Sequence, residues 1–293
     1  MKTLKDYVTD VQMLNGVLTL RLEVPKGFEF TIMHSSDRHH DHVACNRELE
    51  TAHLEEAKTR DALIIDAGDI FDAMQGKKDK RSSYDELRPE YKGLKYFDLL
   101  LTDFYKYYAP YTRNWLLMGT GNHEYSILEH HNWNIIDRLV DRLRKDAGAE
   151  LLHRGGLSGW IRLLFTMGGH RTSIKIRYSH GGGGTNAPVT RGVIQTNRQA
   201  VYLPDADIVH NGHNHQEYSL GIKRIRLSLG GRQYGDIQHY IRTPGYKFKD
   251  ESGENINWES LKEFAPSPIG VVWSEIKFDS YGKFVIKCTD DIR

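Results

Sequence analysis

The sequence predicts an α/β fold, a sandwich containing a mixed sheet. Two observations carry that prediction. Short β-rich runs, polar loops and helical segments repeat in turn through the first half of the chain, and after Gly148 the patterned segments are mostly strands. Helices early and strands late fit a sandwich better than a doubly wound nucleotide-binding sheet.

The elements follow in order. Gly16 to Leu22 (GVLTLRL) partly alternates apolar and polar residues, the period of a half-buried strand. Phe28 to His34 (FEFTIMH) reads as the next strand, followed by a loop and a charged helix from Cys45 to Arg60. Ala62 to Asp66 (ALIID) is a strand that runs directly into Gly68-Asp69. A polar stretch from Gln75 to Glu90 leads to an aromatic helix over Tyr91 to Tyr108, and Trp115 to Met118 is a strand ending at the loop Gly119 to Glu124. One helix is expected from Ile127 to Lys145, because Leu128, Ile135, Ile136, Leu139 and Leu143 fall roughly on one face. The strands IRLLFTM, SIKIRYSH, DIVHNGH, SLGIKRIRLSL, GVVWSEIKF and KFVIKC come next. Asp236 to Pro268 reads as an excursion, so one domain over 1–293 is expected, with a small substrate-facing region around 220–268.

Composition narrows the class. A chain of 293 residues, 39% hydrophobic and 27% charged, can bury a large core. Its longest apolar runs fall far short of a membrane span. The opening MKTLKDYVTD is charged where a secretion signal needs an apolar stretch, and two distant cysteines make no disulfide framework. A cytoplasmic location without membrane contact is therefore expected. Leu151 to Lys249 holds 14 Lys and Arg against 4 Asp and Glu, a balance of +10, which leaves −9 for the rest of the chain. Such a stretch is either a scattered solvated surface or a positive face for a polyanion.

Five short clusters at the ends of strand runs contain most of the metal-competent side chains. They are Asp37-Arg38-His39, Gly68-Asp69-Ile70-Phe71-Asp72, Gly121-Asn122-His123-Glu124, His180 before four glycines, and Gly212-His213-Asn214-His215. In an extended segment, residues two apart face the same way, so Asp37 and His39 can grip one ion. Taken singly, each cluster has an ordinary explanation: turn chemistry for Asp69, a hydrogen-bonded histidine for His180. Five in this order after β runs are hard to explain as separate accidents. His34, His53, His130, His131, His153, His170, His210 and His239 fit no motif and receive no role.

The pattern D-x-H, G-D-x-x-D, G-N-H-[D/E], H, G-H-x-H, spread over residues 37 to 215, resembles the calcineurin-like metallophosphoesterase superfamily. The resemblance implies a four-layer α/β/β/α sandwich with two central mixed β-sheets and metals at the strand ends. It implies that Asp37, His39 and His215 hold one metal, that Asn122, His180 and His213 hold the other, and that Asp69 bridges them. It also implies that His123 lies beside the metals without binding them, as proton donor to the leaving oxygen. Asp72 would then orient that imidazole, a usual task for a carboxylate behind a catalytic histidine; alternatively it caps a helix.

Two divalent ions about 3.5–4 Å apart polarise a phosphoryl oxygen and share a hydroxide nucleophile. A His/Asp/Asn donor set without thiolates points to manganese first, with iron or zinc next, ahead of calcium and magnesium. Ala73 and Thr120 stand where Ser/Thr protein phosphatases of this superfamily carry arginines, which argues against that branch. Phe71 makes the second motif closer to the repair-nuclease branch. With the basic stretch and Tyr202, Tyr218, Tyr234, Tyr240 and Tyr246, it favours a phosphodiester substrate in DNA, RNA or a nucleotide. The alternatives are a broad-specificity phosphomonoesterase and a metal-binding scaffold without catalysis. His40, Asp41 and His42 are either supports of the site, substrate contacts or polar loop residues. Gly181 to Gly184 permit either close approach to phosphate or a tight turn. A serine hydrolase is set aside because no G-x-S-x-G elbow occurs.

Overall fold

A computed structural model describes residues 2–73, 86–93, 95–181, 192–248 and 267–293. The strands are β1 (Val8–Leu14), β2 (Val17–Glu23), β3 (Glu29–Ser35), β4 (Leu63–Asp66), β5 (Trp115–Met118), β6 (His153–Arg154), β7 (Ser158–Met167), β8 (His170–Ser179), β9 (Ile208–Asn211), β10 (Tyr218–Leu227), β11 (Gln233–Arg242), β12 (Gly270–Phe278) and β13 (Phe284–Ile292). The helices are α1 (Arg47–Thr59), α2 (Tyr96–Tyr108), α3 (Asn122–His131), α4 (Ile135–Ala147) and α5 (Val193–Tyr202).

Two mixed sheets result. The first has the order β13-β12-β3-β4-β5-β6, with β3 to β6 parallel and β12 antiparallel to both of its neighbours. The second has the order β1-β2-β7-β8-β9-β11-β10, in which β8, β9 and β11 run parallel. Leu18, Leu20, Ile32, Ile65, Leu163, Ile176 and Ile241 fill the space between the sheets. Met33, Ile64 and Trp115 face the other way, onto Leu54 of α1, Phe104 of α2 and Leu139 of α4. Because β4 and β5 are covered on both faces, they read as unbroken apolar runs rather than alternating ones. Ala200 and Leu203 at the end of α5 pack with Val209 and Tyr240 on the outer face of the second sheet. The layers are therefore helix, sheet, sheet, helix, as the motif resemblance implies, with a single helix in the fourth layer among the described residues.

Some expected elements differ. The one helix expected from Ile127 to Lys145 is two. Asn132 adopts a left-handed conformation (φ 51°) that closes α3, and the Asn134 side chain accepts from Asp137 N at 3.1 Å to start α4. The loop expected to reach Glu124 stops at Gly121, so Asn122, His123 and Glu124 form the first turn of α3. Residues 236–242 are not an excursion, since they complete β11, which pairs with β9 and β10. Most of the expected polar stretch from Gln75 to Glu90 (75–85), Gly182 to Gly184, and residues 249–266 lie outside the described residues. No helix among the described residues is long and apolar enough to cross a membrane.

Candidate metal centre

Parallel strands put their carboxyl ends on one edge, where ligands collect in open α/β sheets. Asp37 and His39 follow β3, Asp69 follows β4, Asn122 and His123 follow β5, His180 follows β8, and His213 and His215 follow β9. All of the residues expected in the centre meet there.

Their donor atoms form two trios. Asp37, His39 and His215 bring ligand atoms within 4.8 Å of one another, and so do Asp69, His180 and His213. Asp69 also groups with His39 and His123, which links the trios. Asn122 Oδ1 lies 3.0 Å from His180 Nε2, and Asp69 Oδ2 lies 3.1 Å from the same nitrogen. Asp37 Oδ1 and Nε2 of His39 are buried without a hydrogen-bond partner, while His39 Nδ1 faces the Asp72 carboxylate. Orphaned buried acceptors are costly, and a cation satisfies them. The residues fit a pair of divalent ions, and the nitrogen-rich donors fit transition metals.

The backbone pays close attention to this edge in one specific way. Asp37 (φ 51°), His39 (φ 44°), Asp69 (φ 56°), His213 (φ 77°) and His215 (φ 51°) are all left-handed. Each such residue costs on the order of 1 kcal/mol or more, which the surrounding loop contacts must offset. The side chains of Asp37 and His39 thus converge from strained turns, not from the extended alternation expected of them. The motif glycines explain the fit. A Cβ on Gly121 would stand 2.0 Å from Asp69 Oδ1, and one on Gly212 would stand 2.7 Å from Asp37 Oδ2.

Electrostatics follow the burial. Burial would raise the carboxyl of Asp69, but His180 and His123 outweigh it and hold it well below the usual carboxylate range. Burial would lower His180; Asp69 and Asp37 overcome it and lift it to about 10. His39 goes the other way, pushed down to about 4 chiefly by burial, with Asp72 opposing. A neutral imidazole is the form that binds metal.

His123 sits apart. Its side chain is 11% exposed, and its Nδ1 donates to the main-chain carbonyl of Asp72 at 2.6 Å. That bond leaves Nε2 facing Asp69 Oδ2 at 3.8 Å. The Asp72 carboxylate lies 3.7 Å from His123 but 3.1 Å from His39 Nδ1. The orienting group for His123 is therefore the carbonyl of Asp72, while its carboxylate faces His39.

Among the residues that support this edge, Glu124 and Arg38 had no role in the sequence reading, and support of the site was one of three readings for His40 and Asp41. Glu124 accepts from the amides of Gly121 (2.7 Å), Phe71 (2.9 Å) and Asp69 (3.1 Å). Asp41 accepts from the amides of Asp72 (2.7 Å) and Ala73 (2.8 Å) and from the Tyr96 hydroxyl (2.9 Å). Arg38 is fully buried and grips Asp66 (2.7 Å) and Glu50 (2.9 Å), and His40 also meets Glu50 (2.7 Å). Asp41 and His40 are thus internal supports rather than surface loop residues. The only sequence signal for them was proximity to the first motif.

The features that favoured a polyanion are dispersed. Arg162, Lys175 and Arg177 share the outer face of the second sheet by register, whereas Arg224 pairs with Asp236 and Arg154 with Asp137. Tyr240 and Tyr246 are core residues and unable to stack on a base.

No family model matches the chain, and no curated protein does. Solved structures resemble it distantly in fold. Zinc-complexed wild-type Vps29 from Entamoeba histolytica is 10% identical, covering 89% of this chain and 99% of its own, with a TM-score of 0.34. Vacuolar Protein Sorting 29 from Cryptosporidium parvum is 12% identical over 91% and 100%, with a TM-score of 0.37. A protein of Streptococcus pneumoniae TIGR4 described as a predicted phosphoesterase is 12% identical over 90% and 99%, with a TM-score of 0.32. Likeness this remote assigns no chemistry; the donor geometry has to carry it.

Proposed function

We propose that this chain is a dinuclear metal-dependent phosphoesterase that hydrolyses phosphodiester bonds in nucleic acid or a nucleotide. The observation that carries the reading is the pair of donor trios joined through Asp69. Asp37, His39 and His215 would hold one ion, Asn122, His180 and His213 the other, and Asp69 both. When bound, two such ions polarise the phosphoryl oxygens and supply the nucleophile at neutral pH.

The chain's own residues supply the rest. His123 is fixed by the Asp72 carbonyl at Nδ1, so a protonated Nε2 points at the reacting group and gives its proton to the leaving oxygen. Glu124 holds the Asp69 loop against the Asn122 turn, and Asp41 holds the Asp72 loop that carries the His123 acceptor. Arg38, spent on Asp66 and Glu50, is turned away from substrate. Ala73 and Thr120 leave those two positions without a phosphate-gripping guanidinium, which favours a diester, with one negative charge, over a dianionic monoester.

Turnover of bis(nitrophenyl) phosphate against nitrophenyl phosphate, with manganese or zinc supplied, tests the reading. Faster diester hydrolysis is expected. Monoester turnover alone would replace it with a phosphatase, and metal binding without either activity would leave a scaffold.

A further inference from the structure

Asp37 presents two unlike oxygens. Its Oδ2 accepts from the His213 amide at 2.8 Å and from the Ser36 hydroxyl, while its Oδ1 is buried and takes no hydrogen bond. Ser36 Oγ in turn lies 2.6 Å from Thr243 Oγ1, and Thr243 Oγ1 lies 3.2 Å from His210 Nε2. All four side chains are buried. They come from three places in the sequence: Ser36 and Asp37 just after β3, Thr243 just after β11, and His210 in β9.

Proton counting gives the chain a direction. An ionised carboxylate only accepts, so Ser36 spends its single proton on Asp37. Ser36 must then accept, and Thr243 donates to it at 2.6 Å in preference to the more distant Asn211 carbonyl at 3.4 Å. Thr243 has no second proton, so His210 Nε2 carries the hydrogen and donates to Thr243. Burial holds His210 neutral, down at about 3, so its Nδ1 bears only a lone pair. That agrees with Nδ1 of His210 having no partner.

We infer that His210, Thr243 and Ser36 form a one-way donor relay that occupies Oδ2 of Asp37 and leaves Oδ1 alone to bind the first metal. His210 and Thr243 are positioning residues: neither belongs to a donor trio, and each acts through Asp37. The inference rests on the proposed metal centre and adds the outer groups that set the coordination mode of one ligand. Partners behind a ligand typically change metal affinity about 10–100-fold.

Thr243→Val keeps the shape and removes the hydroxyl, and Thr243→Ser restores it. Calorimetric titration of the metal-free chain with manganese alone reads the two sites separately. The relay predicts that Thr243→Val weakens one site about 10–100-fold, that the other site holds, and that Thr243→Ser returns to the unaltered affinity. Two unchanged sites in Thr243→Val, or a Thr243→Ser as weak as the valine, would overturn it. Should the valine variant not fold, Ser36→Ala reads the same site, with the same expected loss and the same contrary result. Absence of manganese binding in the unaltered chain would overturn the metal centre itself, and the relay with it.

Discussion

The Glu124 carboxylate accepts a hydrogen bond from the Asp69 amide at 3.1 Å, tying the first turn of α3 to the loop that carries Asp69, the proposed shared ligand. The same carboxylate takes the amides of Gly121 and Phe71, so one side chain fixes two ligand-bearing loops. Burial and then the nearby Asp69 charge raise its pKa to about 8, against the Phe71 and Gly121 amides, which favour the anion. Glu124→Ala leaves those amides unpaired in the interior. A stability loss of about 1–3 kcal/mol per unsatisfied group is expected, together with weakened binding of both metals. Urea unfolding of the metal-free chain checks the first effect, and metal titration the second.

His123→Ala should separate chemistry from metal binding. Its ring lies outside the two trios joined through Asp69, so metal content should stay near two per chain while turnover of a diester falls about 10²–10⁴-fold. The loss should shrink for a diester whose leaving group needs no proton. Metal analysis beside steady-state kinetics with good and poor leaving groups checks this, and unchanged kcat would refute the assigned role.

Gly121→Ala should abolish the centre by geometry alone. The new methyl would stand 2.0 Å from Asp69 Oδ1 and 2.4 Å from Asp69 N, and the loop cannot retreat without moving the ligand. Loss of metal binding in a chain whose far-ultraviolet circular dichroism is unaltered is the expected result.

Acid should weaken the fold through Glu50. Burial would raise this carboxyl, but His40 and Arg38 outweigh it and hold it at about 2, below its ordinary 4.5. A depressed folded-state pKa means the stabilisation is complete above about 4.5 and is lost as pH falls toward 2. The term is on the order of 3 kcal/mol at neutral pH. Urea midpoints between pH 6 and 2 should show it, with a flatter profile in Glu50→Gln.

The sequence disclosed the proposed ligands better than the contacts that hold them in place. Asp37, His39, Asp69, Asn122, His180, His213 and His215 stand out because metal-competent side chains recur at strand ends, and the centre brings them together. The left-handed backbone at five of them was invisible, because no residue type there demands it; Asp and His tolerate it where a β-branched residue would not. Arg38 and Glu50 received no role in the sequence, since burial of an ion pair depends on α1 and β4 closing over it. The helix from Ile127 to Lys145 was read as continuous because the break at Asn132 rests on a side-chain cap from Asn134, which periodicity does not report. The basic stretch is a one-dimensional feature: the register gathers Arg162, Lys175 and Arg177 on one face, while Arg224 and Arg154 are taken up by ion pairs.

Electron paramagnetic resonance of the chain loaded with manganese tests the pairing of the two ions through Asp69 most directly. At two equivalents of manganese, an exchange-coupled spectrum is expected, collapsing to isolated six-line signals in Asp69→Asn. Six-line signals alone from the unaltered chain, at every loading, would contradict a shared ligand.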